Sequence, residues 1–440
     1  MKKCSTKLKT PRSFGNMCVF SSQRFAKAIP YLLLAVAALS GIVPQPVVAA
    51  LSVGIMFLML TITNNVFLAY PVVLFYYIQL DLFLGVSVFR IFTLFLLVSL
   101  LLNRKKLILS DQLYILPLGV YILYLALTLS FHNLRVAAFF GLDLIIVFIL
   151  IFTQLRDKDK LRAFFTVYVI TALVAFFSGL IAGVELDSYI QSDGEAVGRL
   201  MATFNDPNYM GFFYSIAIFA AVTLGLFKKG WRTVVVLALY VMLFTSLSMT
   251  AIIGNILFWA VYLLAFRKMK PKTFLIVLAV AGAAVGLYFW GLSSPDLPIL
   301  GSLTMRIHEK LALLTKNDLN SFSTNRFELT EKAWQFFVSQ KSVFRILFGG
   351  HLANALIYDM PYGTMAAHNE YVDLLVNVGL IGAVILIAFA LWRAVSFYAE
   401  WRKTKSPESA FGFLSKIIWL YYAATLTLFG EVRFLLFFFL

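Results

Sequence analysis

Apolar runs long enough to cross a bilayer recur from one end of the chain to the other, and short polar breaks part them. The runs at 28–43 and 47–62 are split by Pro44-Gln45-Pro46, an expected outside turn, and Thr63-Asn64-Asn65 turns the chain back. Runs at 66–80 and 82–102 follow, parted near Asp81, and the first is short enough to be re-entrant. Then come 113–131, a turn at His132-Asn133, 136–152, 164–182, 208–227, the hairpin 234–248 with 251–266, and 274–290. A last pair begins near His368 and covers 413–429, while 434–440 is too short to span. This pattern predicts an all-α polytopic membrane protein of roughly 11 to 13 transmembrane helices. It divides into a polar segment at 1–27, helices with short loops over 28–290, one large loop at 291–367, and closing helices over 368–440.

Composition agrees, since 61% hydrophobic against 13% charged residues is too apolar for an ordinary soluble domain. A formal charge of +16 would suggest nucleic acid if it were spread over a soluble surface. Here it sits in clusters between apolar runs: Arg104-Lys105-Lys106, Arg156 to Arg162, Lys228-Lys229 with Arg232, Arg267 to Lys272, and Arg393 with Arg402, Lys403 and Lys405. Such clusters mark the cytoplasmic side, so the bilayer is the expected partner and nucleic acid is not. Residues 1–27 read as the cytoplasmic lead into an uncleaved first anchor. Cys4 and Cys18 lack partners at metal-ligand spacing, so no disulfide framework, zinc site or other metal is expected. Arg90, inside the fourth run, reads most simply as a snorkelling cation.

The expected outer face carries the polar chemistry. The loop at 183–206 holds four acids, Glu185, Asp187, Asp193 and Glu195, ahead of its one basic residue, Arg199, which stands just before Phe204-Asn205-Asp206-Pro207-Asn208. Asp-Pro is a helix start, with Asp capping and Pro at the first position. Thr245, Ser246, Ser248 and Thr250 mark the outer end of the next hairpin. In the large loop, Leu303, Ile307, Leu311 and Leu314 have helical spacing beside Arg306, His308 and Lys310, predicting a helix lying on the membrane surface. A second loop helix should start at Asn325 with Glu328 as its capping-box partner, and Phe327, Thr330, Trp334 and Phe337 as its packed face. Arg326 would open that helix, at a ready anion site.

From Phe348 to Gly382 a polar loop meets a membrane-type helix. If the segment after His368 is helical, Glu370, Asp373 and Asn377 share one face and should line a cavity, because a lone acid at mid-membrane costs roughly 2.5 to 3.5 kcal/mol. Gly379 and Gly382 read as helix-packing positions. No hydrolase elbow, phosphate-binding Walker loop or zinc-protease motif is present. A histidine with cationic anchors on a lipid-facing frame suits transfer chemistry on a lipid-linked diphosphate.

These features resemble the O-antigen ligase and O-antigen polymerase superfamily: Arg199 before Phe-Asn-Asp-Pro-Asn, Asn325-Arg326 followed by Trp334, Leu347-Phe348-Gly349-Gly350, and His368-Asn369 with Gly379 and Gly382. The resemblance implies a GT-C-like bundle in the bacterial inner membrane, with its site on the extracytoplasmic side. It implies metal-independent, cofactor-free, inverting transfer from an undecaprenyl-diphosphate-linked glycan donor to a glycan acceptor, with a chain-length regulator as a further partner. His368, Arg199 and Arg326 would be catalytic, and Asn208, His351, Asn369, Glu370 and Asp373 would bind substrate. The chain departs from the family pattern at Ser248-Met249-Thr250, where an arginine is common, and at Asn377, where Glu is common; Arg306 or Arg433 could supply the missing cation. A ligase moving finished glycan to lipid A-core or another acceptor would use the same residues. A transporter or flippase would instead show internal repeats and ionisable groups at mid-membrane.

Overall fold

The computed structural model describes residues 28–63, 65–76, 81–82, 86–102, 154–181, 187–190, 196–199, 203–204, 206–266, 271–297, 300–323, 326–349, 358–360, 363–365, 368–426 and 437–438, the strands by their backbone alone. It is helical apart from three short antiparallel hairpins. In order the elements are α1 (Ala28–Ala38), α2 (Gln45–Leu58), α3 (Tyr70–Tyr76), β1 (Asp81–Leu82), β2 (Val86–Ser87), α4 (Val88–Leu102) and α5 (Lys158–Ile181). Then come β3 (Asp187–Ile190), β4 (Ala196–Arg199), α6 (Pro207–Thr223), α7 (Lys229–Thr245), α8 (Met249–Val261) and α9 (Pro271–Ser293). Last are α10 (Leu300–Thr315), α11 (Leu319–Phe322), α12 (Arg326–Val338), α13 (Val343–Phe348), β5 (Tyr358–Met360), β6 (Gly363–Met365), α14 (Glu370–Thr404) and α15 (Pro407–Ala423).

Among the described residues, four helices are long and apolar enough to cross a membrane: Gln45–Thr63, Lys158–Ile181, Met249–Phe266 and Glu370–Thr404. The runs at 113–131 and 136–152, with His132, lie outside the described residues. Two boundaries differ from expectation. The fourth run opens as a β-hairpin, pairing Asp81 with Ser87, and becomes helical only at Val88. Helix α15 starts six residues before the apolar run, because Ser406 accepts from the amide of Ser409 and Pro407 takes the first turn. Strand pairing at the first place and cap chemistry at the second outrank hydrophobicity.

Helix α6 is the axis of the bundle, with Phe212, Phe213, Tyr214 and Ile216 to Ala221 fully buried. Such an all-round apolar helix belongs inside a protein. Polar bonds stitch its neighbours to it where lipid supplies no alternative partner. Tyr214 donates to the carbonyl of Ala172 on α5 (2.6 Å), and Tyr168 donates back to that of Phe213 (3.1 Å). The Asn255 amide on α8 donates to the Ser215 hydroxyl (2.8 Å), which also meets the Tyr422 hydroxyl on α15 (3.0 Å). Lys416 is fully buried and donates to the carbonyls of Phe437 (2.8 Å) and Phe438. Residues 437–438, part of the end too short to span, thus lie in the core, against Tyr168, Phe212 and Trp419.

Within the segment at 291–367, two expectations about faces are corrected. The predicted surface helix exists as α10, but Arg306 and Lys310 are buried while Leu311 and Leu314 are exposed. Lys310 donates to the carbonyls of Ser321 (2.8 Å) and Phe322 (2.7 Å), which close the one-turn α11 and need donors there. In α12 the packed face is Leu329, Ala333 and Phe337, with Phe336 and Val372 partly buried beside it; Phe327 and Trp334 are exposed. Residue spacing located these helices, but it could not say which stripe the protein covers.

Gly379 is more than a helix-packing position. It interrupts α14 with φ 69° and ψ 179°, a conformation essentially reserved for glycine. The end of α13 passes there, and a Cβ on Gly379 would lie 2.4 Å from the carbonyl of Leu347. Gly349, also at positive φ, faces it, and a Cβ there would lie 2.2 Å from the Asn377 carbonyl. Two backbones therefore touch without side chains between them. Gly379→Ala should lower thermal stability by about 1 to 3 kcal/mol or more, from the backbone strain alone before the clash is added. Gly286→Ala, where a Cβ meets nothing within 4 Å, should be neutral or slightly stabilising. Thermal melts of both purified variants in one detergent check the contrast; equal melting temperatures would remove the crossing as a constraint.

Candidate functional site

Four helices open at one end of the bundle, α6, α8, α12 and α14, and bonds between their first turns hold them together. Asp206 caps α6 as expected, its carboxylate accepting from the Asn208 amide (2.6 Å) and side chain (2.8 Å). The Asn208 side-chain oxygen accepts from the hydroxyl of Ser248 (2.7 Å), and Ser248 in turn caps α8. Helices α6 and α8 approach so closely here that a Cβ on Gly211 would lie 2.5 Å from that of Ala251. Arg326, the first residue of α12, reaches the Thr250 hydroxyl at 3.4 Å, a long hydrogen bond. Asn369 caps α14 through the amide of Tyr371 (3.1 Å) and approaches Thr330 on α12 (3.5 Å). Tyr421 of α15 closes the ring by donating to the Thr250 carbonyl (3.1 Å).

The electrostatics follow from that arrangement. Each helix start carries roughly half a positive charge, so the cluster favours an anion. Arg326 adds a full cation to it. Burial holds the Arg326 pKa below its ordinary value, with Asp206, then Tyr421 and Tyr209, pulling the other way. Arginine stays charged through such shifts. Its positive charge therefore sits in a place of reduced solvation, opposed among the described residues by the carboxylate of Asp206.

His368 precedes the α14 cap with φ +51°, a left-handed conformation uncommon outside glycine. Its Nδ1 is buried and has no hydrogen-bond partner among the described residues. Its pKa lies below the ordinary imidazole value because of burial first and the Arg326 cation second, against the pull of Asp206. The ring is therefore neutral at pH 7, as a general base requires. An unsatisfied buried ring nitrogen costs about 1 to 3 kcal/mol, which a bound hydroxyl or phosphate oxygen would recover.

The structure thus brings His368 and Arg326 together, although 42 residues part them in the chain. Glu370 and Asp373 are buried, and the Asn377 side-chain oxygen is buried beside the Gly379 break. Asn208 and Asn369 serve as struts between helix starts. The backbone of Arg199 ends β4, paired with Asp187, seven residues before Asp206; its side chain lies outside the described residues, as do Asn325, His351 and Arg433. Arg306 lies in α10, which packs on α9 and α11. Sequence reasoning missed Asp206 as an electrostatic partner, having read it only as a cap, and missed Thr250, which meets Arg326 at the hairpin end where an arginine was expected. The acid's place between two candidate site residues was the available signal.

No protein-family model matches the chain, and no curated protein matches it.

The pKa of His368 lies below the usual 6.5, and Asp206 is the charge that raises it. Asp206→Asn should therefore move the titration of the His368 ring, followed by NMR on the purified protein, to still lower pH. Asn is an equally good cap, so the fold should persist. A titration that stays in place or moves upward would remove Asp206 from the site's electrostatics.

Proposed function

We propose that this protein is a membrane glycosyltransferase that moves a glycan from an isoprenoid diphosphate to an acceptor hydroxyl. One observation carries the reading: an imidazole whose buried Nδ1 has no partner among the described residues and a half-buried guanidinium meet where four helices present their positive ends. A diphosphate leaving group gains negative charge as it departs, and this is a place built to receive negative charge. The neighbouring imidazole can take the proton that the attacking hydroxyl must lose. Apolar helices of membrane-crossing length suit a lipid-borne donor.

In the proposed step the acceptor oxygen attacks the anomeric carbon, and the carbon–oxygen bond to the diphosphate breaks with its electron pair going to the diphosphate. The hydroxyl proton passes to His368. Configuration at the sugar inverts, and no metal or cofactor enters. Arg326, aided by the starts of α6, α8, α12 and α14, holds the diphosphate, with Arg199 as a second guanidinium. Glu370, Asp373, His351 and the asparagines Asn208 and Asn369 are assigned to substrate. The more specific form of the proposal is polymerisation of undecaprenyl-linked repeat units into an O-antigen-like or capsular polysaccharide in a bacterial inner membrane, on its extracytoplasmic face. Transfer of finished glycan to another acceptor uses the same chemistry and differs only in what the acceptor is.

His368→Ala should lower turnover by roughly 10²- to 10⁴-fold at unchanged expression, read on undecaprenyl-linked oligosaccharide in reconstituted membranes. Arg326→Lys should lose most activity as well, because lysine keeps the charge but loses the planar fork. Near-normal product from His368→Ala would end the catalytic assignment. A deletion strain that still builds a full ladder on the lipid carrier would exclude the polymerase form and leave the ligase form.

A further inference from the structure

Helix α12 has two apolar stripes. Leu329, Ala333 and Phe337 are buried toward α14. Phe327, Trp334 and Val338, at i, i+7 and i+11, form a second stripe about a third of a turn away, each about half exposed, and Val343 and Phe344 of α13 are likewise exposed, at 70% and 52%. Glu331 and Gln335 lie beyond this stripe, so the polar side of α12 is the one turned farthest from α14. An apolar edge beside a polar face suits the boundary between lipid and water.

The Gly349–Gly379 crossing sets the depth of this patch. Gly379 lies nine residues beyond Glu370 on α14, about 13 Å along the helix from its polar first turn. The end of α13 is therefore beside the body of a membrane-length helix and not above its rim. Immediately past the crossing, Leu380, Ile381 and Val384 are exposed, as a lipid-facing surface requires. Phe344 packs on Phe348, the residue at the crossing, with ring centroids 4.9 Å apart. Phe344 is therefore tied through Phe348 to the stretch of α14 where these exposed apolar residues begin.

We propose that α12 and α13 are sunk in the bilayer leaflet on the site's side, with lipid acyl chains covering Phe327, Trp334, Val338, Val343 and Phe344. The segment is then a membrane-embedded collar and not part of an aqueous loop domain. Arg326 heads the same helix, so the collar brings lipid chains alongside the helix that carries the site's cation. This inference concerns placement alone and stands or falls separately from the glycosyl-transfer reading.

The test uses the full chain with Cys4→Ser and Cys18→Ser, in phosphatidylcholine nanodiscs, carrying a nitroxide on Val343→Cys or Phe344→Cys. Relaxation by oxygen is compared with relaxation by a water-soluble nickel complex. Labels on Val384→Cys and Lys403→Cys give the lipid and water references. Both collar labels should respond to oxygen and resist nickel as the label at 384 does. Nickel relaxation equal to that at 403 would put the segment in water. Shielding from both reagents would put a protein, a second copy or another chain, on the patch. Either result overturns the proposal. An independent reading, free of cysteine substitution in the collar, compares the parent chain with Trp334→Phe in vesicles of brominated lipid. The fluorescence that Trp334 contributes should be quenched, and an unquenched contribution overturns the placement.

Discussion

A guanidinium at the positive start of a helix, partly withdrawn from water and set beside three other positive helix ends, is an unfavourable arrangement in isolation. Arg326 occupies that position, and much of the surrounding structure offsets or exploits it. Asp206 supplies the compensating charge and at the same time caps α6, so one carboxylate satisfies two demands. Asn208, Ser248, Thr250 and Tyr421 then tie α6, α8, α12 and α15 together within one turn of that point. A structure that concentrates positive potential this way is eased by the acid, and is improved by a visiting anion.

Below this end the bundle obeys a different rule. Lipid offers no hydrogen bonds, so polar groups in the helices find one another, as Asn255, Ser215 and Tyr422 do across three helices. Tyr240 bonds Asn255 and receives the Trp259 ring N–H, which brings α7 into the same chain of bonds. Lys416 shows the same economy at full burial, its ammonium met by two backbone carbonyls. Interhelical bonds of this kind are worth only about 0.6 kcal/mol apiece. Their value is in fixing which helix faces which, and through that the spacing of the four starts above.

The membrane character, the start of α6 at Asp206-Pro207 and the start of α14 next to His368-Asn369 were legible in the sequence, because caps and apolar runs are local signals. The meeting of His368 with Arg326 was inferable only from motif order. The faces of α10 and α12 were not legible, since Arg306 and Trp334 each suit either water or a protein interior by type, and tertiary packing decides. The role of Gly379 was hidden for a similar reason. Glycine in an apolar helix usually signals close packing, and only the path of α13 turns it into a break.

That break separates two periodicities within one membrane helix. Above it, the side carrying Glu370, Asp373 and Asn377 is turned into the protein; below it, Leu380, Ile381 and Val384 look outward. An unbroken helix would have to carry both patterns in a single phase, so a side turned into the protein above could not be turned outward below. With the phase reset at Gly379, each half meets its own surroundings independently of the other.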